Sequence, residues 1–97
     1  MSNGRKGYVI LTEAIKDPEG MKAYAQAAGV AMGGAKILSV DTAPTVVEGT
    51  WHGNQTVVLE FESVDAARAW YESELYQKAV KLRQRAADCN AVILAGF

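Results

Sequence analysis

The stretch Glu60–Gln77, which reads EFESVDAARAWYESELYQ, decides the fold because it holds the end of a strand and the start of a two-part helix. Ser63 and Ser73 are both placed to accept hydrogen bonds from the free N–H groups of a helix start. We therefore predict a helix that begins after Ser63, breaks near Glu72-Ser73 and is closed by Asp88-Cys89-Asn90. Its apolar residues recur at helical spacing and predict the face that packs on the core: Val64, Ala67, Trp70, Tyr71, then Leu75, Ala79, Leu82 and Ala86.

The strand that leads into this helix, Gln55–Phe61, alternates strictly between two faces. Val57, Leu59 and Phe61 share the face that we predict to meet the helices. Three further segments have the branched and aromatic composition of strands: Tyr8–Ile15, Ala35–Asp41 with a bent continuation through Thr45–Glu48, and Ala91–Gly96. The first and last of these are apolar on both sides, which predicts central positions in the sheet.

A first helix is predicted between the first two strands. Asp17-Pro18 is typical of a helix start, because aspartate can accept from free N–H groups and proline suits the first helical position. Gly33-Gly34 is typical of a helix end. The apolar residues between these signals again follow helical spacing: Met21, Tyr24, Ala25, Ala28 and Met32.

The predicted element order is therefore β-α-β-β-α-β, the ferredoxin-like arrangement of the α+β class. It places two helices on one face of an antiparallel sheet. The other face is left open, and we predict that it packs against a second copy to form a two-fold homodimer. Met1–Lys6 is predicted to be a flexible arm, and residues 7–97 a single domain.

Composition excludes several classes of function. The net charge is -1 without a block of basic residues, so neither nucleic acid nor a membrane surface is an expected partner. A single cysteine excludes an internal disulfide framework, and a signal-like apolar segment is absent, so we expect a cytoplasmic protein. Neither a cofactor fingerprint nor metal-ligand spacing occurs in the sequence, and we predict no cofactor and no metal site.

Several motifs occur together along the chain: Gly7-Tyr8-Val9-Ile10, Asp17-Pro18, Gly33-Gly34, Glu48-Gly49-x-Trp51, Val57-Val58-Leu59-Glu60-Phe61 and Trp70-Tyr71-x-Ser73-x-x-Tyr76-Gln77. In these motifs the sequence resembles the bacterial family catalogued as domain of unknown function 1330. The resemblance implies the dimeric α/β-barrel fold, which small cofactor-independent monooxygenases and muconolactone-isomerase-like enzymes share. It implies no established reaction. The sequence departs from the family at Gln55, where relatives tend to carry arginine.

Two residues are candidates for acid–base catalysis. His52 is the only histidine in the sequence, and histidine ordinarily changes charge near neutral pH, so His52 is a candidate general base. The alternative is a solvated loop residue. Glu60 stands among apolar residues and is a candidate acid or base. The alternative is a carboxylate paired at a dimer interface with Arg68 or Arg83.

A group of aromatic residues and one arginine are candidates for ligand binding. Tyrosine hydroxyls can orient an otherwise apolar ligand, and arginine can hold a carboxylate. The predicted set is Tyr24, Trp70, Tyr71, Tyr76 and Arg83; the alternative is that these residues pack the core. Cys89 is interpreted as a small buried apolar residue.

The predicted function is the binding of a small aromatic or carboxylate metabolite between the helices and the sheet. One alternative is a cofactor-independent enzyme of the monooxygenase or isomerase type that abstracts a proton with Glu60 or His52. The other is a structural module whose function lies in its dimer surface. A binding pocket with converging polar groups would favour either of the first two hypotheses.

Overall fold

The computed structural model describes residues 4–97. Within them the chain forms four strands and three helices: β1 Gly7–Ile15, α1 Pro18–Val30, β2 Lys36–Asp41, β3 Gln55–Phe61, α2 Val64–Glu72, α3 Glu74–Ala86 and β4 Ala87–Ala95. Residues 1–3 of the predicted arm lie outside the described part of the chain. Arg5 donates from Nε to the Gly96 carbonyl at 2.7 Å, and Lys6 Nζ lies 2.9 Å from Glu62 Oε2.

The sheet is antiparallel throughout, with the strand order β2-β3-β1-β4. This is the ferredoxin-like arrangement, and it confirms the fold predicted from the sequence. The prediction that β4 is central was wrong, because β4 pairs only with β1 in the described sheet. Its second apolar side, with Val92 and Leu94, lies on the open face of the sheet and is about half exposed.

The two serine caps form as predicted. Ser63 Oγ accepts from the Ala66 N–H at 3.0 Å, and Ser73 Oγ accepts from the Tyr76 N–H at 3.2 Å. Ser73 therefore closes α2 and opens α3 at one residue. Asp17 precedes α1 as predicted, although its side chain makes no capping hydrogen bond. α1 ends at Val30, before the Gly33-Gly34 pair, so Met32 lies beyond the helix.

The core lies between the helices and one face of the sheet, which we call the covered face. Val9 and Leu11 of β1 and Leu59 and Phe61 of β3 are buried there, as predicted for β3. The buried stripe of α3 differs from the prediction, since Leu75 is 56% exposed. The buried residues of α3 are instead Tyr76, Ala79, Val80, Arg83 and Ala86.

The connection between β2 and β3, residues 42–54, is a loop. The predicted continuation of β2 through Thr45–Glu48 does not form a strand. β2 instead stops at Asp41 after a register shift between Ile37 and Ser39 in its pairing with β3. Part of the loop lies beside Ser39, Asp41 and Thr56. Its last residues return to β1 before β3 begins, where the Asn54 N–H donates to the Glu13 carbonyl.

Candidate functional site

A cleft of about 400 Å³ lies between α1 and the covered face of the sheet. It exists because α1 lies close to α3: at Gly20 of α1 a Cβ atom would lie 2.9 Å from Ala86 Cβ. Over β2 this leaves the sheet without helix cover, and Ile37 and Val40 remain 57% and 55% exposed although they point to the covered face. Apart from Glu13, Gln55 and Lys22, the remaining lining is mostly apolar: Leu11, Ile15, Pro18, Met21, Tyr24, Ala25, Ala28, Gly29, Met32, Val57, Leu59 and Trp70.

Glu13 is the carboxylate of this cleft, and it is fully buried at 0% exposure. Gln55 Nε2 donates to Glu13 Oε1 at 2.7 Å. The other oxygen, Oε2, is buried without a hydrogen-bond partner among residues 4–97. A buried polar group normally has a partner, so an unsatisfied carboxyl oxygen in the wall of a cleft indicates a place for a ligand donor.

The loop before β3 holds Glu13 and Gln55 in place. The Asn54 N–H donates to the Glu13 carbonyl at 2.9 Å, and Asn54 Oδ1 accepts from the Ile15 N–H at 3.0 Å. Gly53 has a φ of 80°, and a Cβ atom there would collide with the backbone carbonyl of Glu13. Only glycine combines this backbone angle with so close an approach. Gly53 and Asn54 therefore clamp the end of β1 at the site.

Two tyrosines form a hydrogen-bonded pair beside the cleft. The hydroxyl oxygens of Tyr24 and Tyr76 are 2.7 Å apart. Tyr24 lines the cleft, whereas Tyr76 is buried behind it and stacks on Trp70 with ring centroids 3.9 Å apart. The guanidinium of Arg83 lies over the Tyr24 ring at 5.8 Å from its centroid and also interacts with the Tyr76 hydroxyl.

Burial keeps both hydroxyls protonated. Burial is the main cause that raises the pKa of Tyr24, and the adjacent Tyr76 hydroxyl adds to the rise. Burial likewise raises the pKa of Tyr76, although the Tyr24 hydroxyl and the Arg83 guanidinium oppose it. The site therefore contains two neutral phenols and a cation, close to the Glu13 carboxyl. Burial also raises the pKa of the Cys89 thiol, which argues against a reactive thiolate there.

The structure divides the predicted ligand-binding residues between two places. Tyr24 and Trp70 line the cleft, and Tyr76 lies behind it. Arg83 lies over the Tyr24 ring, but it lines a second pocket of about 460 Å³ together with Tyr71. Tyr71 lies away from the cleft, beside a small groove that Val9, Val92 and Ile93 also line. The Trp70 indole N–H is buried without an acceptor in the described chain, so it is a second unused polar group in the cleft wall.

His52 and Glu60 lie on the open face, away from the cleft. His52 Nδ1 is 2.7 Å from Thr12 Oγ1, and His52 Nε2 is 3.6 Å from Asp88 Oδ2. Glu60 accepts from the Tyr8 hydroxyl at 3.1 Å. Glu60 and Arg83 are on opposite faces of the sheet. The two acid–base candidates therefore do not come together with the aromatic group.

Sequence reasoning missed Glu13, although the sequence contains its signal. Val9 and Leu11 alternate with Tyr8 and Ile10 along β1, and Glu13 has the same parity as the two buried residues. A carboxylate at a covered-face position of an inner strand requires either a partner or a function. Gln55, at the start of β3, is its cross-strand neighbour in the register.

Residues 4–97 contain no group of three or more His, Cys, Asp or Glu side chains with the geometry of a metal site. No helix in the same residues is long and apolar enough to cross a membrane.

Solved structures with the same fold come from several bacteria. A protein of unknown function from Rhodopseudomonas palustris has a TM-score of 0.71 at 21% identity, with 96% of this chain and 83% of that chain covered. A dimeric ferredoxin-like protein of unknown function from Thermobifida fusca has a TM-score of 0.67 at 15% identity, covering 98% and 94%. A candidate antibiotic biosynthesis monooxygenase from Caulobacter crescentus has a TM-score of 0.60 at 13% identity, covering 97% and 90%. At these identities the likeness shows the fold.

No curated protein matches the sequence. The model of one protein family, described as domain of unknown function (DUF1330), matches residues 6–97. The match covers β1 to β4 and includes Glu13, Tyr24, Gln55 and Tyr76. It confirms the resemblance seen in the sequence motifs. The chain belongs to the DUF1330 family.

Proposed function

We propose that the protein binds a small, mostly apolar molecule in the cleft between α1 and the sheet, with a hydrogen-bond donor of the ligand bound to Glu13. The observation that carries this proposal is the Glu13 Oε2 atom, which is fully buried in an apolar wall without a partner among the described residues. A cleft of about 400 Å³ is in the range of small-molecule sites.

The chemistry of the cleft narrows the ligand class. Its walls are aliphatic and aromatic, which suits a flat apolar body such as one or two fused rings. Glu13 repels a carboxylate, and the cation of Arg83 lies behind the Tyr24 ring and does not line the cleft. Lys22 does line the cleft, but its side chain is 74% exposed and its Nζ lies 3.3 Å from Glu19 Oε1. Of the two ligand types predicted from the sequence, the cleft therefore favours the aromatic one, with a phenol or hydroxyl as donor.

Binding of 2-naphthol tests this proposal, with 2-methoxynaphthalene as a ligand of similar shape that lacks the donor. A hydrogen bond to a charged group contributes roughly 1.5–3 kcal/mol, so we expect 2-naphthol to bind at least about tenfold more tightly. Titration calorimetry measures both affinities. Equal affinities would show that Glu13 does not bind the donor.

A pair of variants tests the location. Ala25 and Ala23 are both exposed on α1, but only Ala25 lines the cleft. Ala25→Trp should fill the cleft and abolish 2-naphthol binding, whereas Ala23→Trp should bind as the wild type does. Loss of binding in both variants, or in neither, would place the ligand elsewhere.

We also propose that the protein forms a two-fold dimer through the open face of the sheet. Val92 and Leu94 of β4 are 48% and 45% exposed there, beside the partly buried Ile10 and Val58. Exposed apolar side chains gathered on one face are typical of an interface. Dimeric neighbours with the same fold support this assembly.

A further inference from the structure

We infer that the cleft also catalyses proton transfer at a carbon atom next to a carbonyl group, with Glu13 as the general base and the Tyr24 hydroxyl as hydrogen-bond donor to the carbonyl oxygen. This inference rests on the proposed function, because the substrate occupies the same cleft. The proposed base and donor differ from those predicted from the sequence. Glu13 and Tyr24 lie on the covered side of the sheet, whereas His52 and Glu60 lie on the open face.

The first step of the argument is the free hydrogen of the tyrosine pair. Two neutral hydroxyls carry two hydrogens, but a single contact of 2.7 Å joins their oxygens, and one hydrogen fills it. Tyr76 is fully buried, and its hydroxyl has no hydrogen-bond partner other than Tyr24 among residues 4–97, so Tyr24 is the one acceptor within its reach. The Tyr76 hydrogen then points to Tyr24, and the Tyr24 hydrogen is left to donate to a ligand.

The second step is that acceptor and donor belong to one cleft. Glu13 comes from β1 and Tyr24 from α1, and both line it. A base and a donor that border the same mostly apolar cleft are the two groups that enolisation requires.

The proposed reaction needs no other reactant. Glu13 Oε2 takes the proton from the carbon atom next to the carbonyl, and the electrons of that C–H bond form a C=C bond. The carbonyl π electrons move to the oxygen, where the Tyr24 hydroxyl stabilises the developing negative charge. The hydrogen bond from Tyr76 strengthens this donor, since the Tyr76 hydroxyl polarises that of Tyr24. The proton on Glu13 exchanges with water, and transfer of the solvent-derived proton to the same carbon completes a hydrogen exchange. Transfer to a different carbon of an extended enolate completes an isomerisation.

The substrate class follows from the cleft. The apolar walls suit a cyclic or aryl-substituted ketone with one polar edge. 2-Tetralone is a suitable probe, because its enol has the shape of 2-naphthol. Exchange of its acidic hydrogens in D₂O is followed directly by proton NMR.

We expect the wild-type protein to accelerate this exchange at least tenfold over buffer, and 2-naphthol to inhibit the acceleration. Glu13→Gln should reduce the accelerated rate by about a hundredfold or more. Tyr24→Phe should reduce it by about a hundredfold through the maximal rate, with little change in the 2-tetralone concentration for half-saturation. Circular dichroism verifies that both variants fold.

Two variants serve as matched controls outside the cleft. Glu62 is an exposed carboxylate paired with Lys6, and Tyr8 is a tyrosine on the open face. Glu62→Gln and Tyr8→Phe should both retain the wild-type exchange rate. A wild-type protein that binds 2-naphthol but does not accelerate exchange would overturn this inference and leave the proposed function standing. Failure to bind 2-naphthol would overturn both, and a Glu13→Gln variant with the wild-type rate would overturn the role of Glu13.

Discussion

The two faces of the sheet treat their polar side chains in opposite ways. On the open face, exposed or half-buried groups are paired: Trp51 Nε1 donates to Thr56 Oγ1 at 2.8 Å, and His52 and Glu60 have partners as well. On the covered face, three buried atoms lack partners within residues 4–97: Glu13 Oε2, Trp70 Nε1 and Arg83 Nε.

This contrast is the reverse of what stability alone favours. An unsatisfied polar group costs little where water reaches it and roughly 1–3 kcal/mol where it is buried. A structure selected only for stability would pair the buried groups first. Two of these unpaired groups, those of Glu13 and Trp70, belong to residues that line the cleft, which supports the proposed binding site. The exposed apolar side chains of the open face belong to the proposed interface.

The largest expected effect comes from the open face. Leu94→Asp should convert the proposed dimer to a monomer, because each subunit then buries a charge where an apolar side chain was. Burying a leucine contributes roughly 1.5–3 kcal/mol, and a two-fold interface contains the residue twice. The free energy of association should therefore weaken by about 3 kcal/mol or more. Sedimentation velocity over a range of concentrations measures the association.

Leu75→Asp is the control for this variant. Leu75 is 56% exposed on α3, away from the open face, so its replacement should leave the association constant unchanged. If Leu94→Asp sediments as the wild type does, the open face does not form the interface.

The next effect concerns Gly53, which connects the two faces. Its neighbour His52 lies on the open face, and Asn54 and Gln55 fix the cleft residues. Gly53→Ala should destabilise the fold by about 3 kcal/mol, because the positive φ and the collision with the Glu13 carbonyl act together. Urea unfolding measures the free energy change.

Gly49→Ala separates these two causes. Gly49 also has a positive φ, 71°, but a Cβ atom there meets nothing within 4 Å. We expect the free energy of unfolding of Gly49→Ala to fall by only about 1 kcal/mol, which is the cost of the positive φ alone. Equal losses in the two variants would show that the contact with β1 contributes nothing, and that Gly53 is not a clamp.

Local signals in the sequence predicted most of the fold. Ser63 and Ser73 determine where α2 and α3 begin through hydrogen bonds to residues three positions away, and the alternation in β3 identifies its covered face. These features depend on neighbours in the sequence. The family match and the strand order confirm the result.

The features that sequence reasoning missed depend on distant residues. Arg83 is buried beside two tyrosines: its guanidinium lies over the Tyr24 ring and opposes the rise in the pKa of Tyr76. Helical spacing alone predicts Leu75 for the core instead. Glu13 lines the candidate site because α1 leaves the sheet beside it partly uncovered. His52 is a candidate general base by its chemistry, but its position depends on the loop that joins β2 to β3.

The smallest expected effect is the change in stability when Glu13, the buried carboxyl of the covered face, is replaced. Glu13→Met should raise the free energy of unfolding by about 1 kcal/mol, because an apolar side chain of similar length replaces a buried, half-satisfied carboxyl. Gln55 is only partly buried and can turn to water. Glu62→Met, at an exposed surface pair, should change stability by less than about 0.5 kcal/mol. A thermal melt shows the gain in stability as a rise in Tm of roughly 4–8 °C.

The stabilised variant should also lose the preference for 2-naphthol over 2-methoxynaphthalene, since the same carboxyl that destabilises the ligand-free protein binds the donor. If Glu13→Met is instead destabilised, the carboxyl supports the fold, and its free oxygen is no evidence for a ligand.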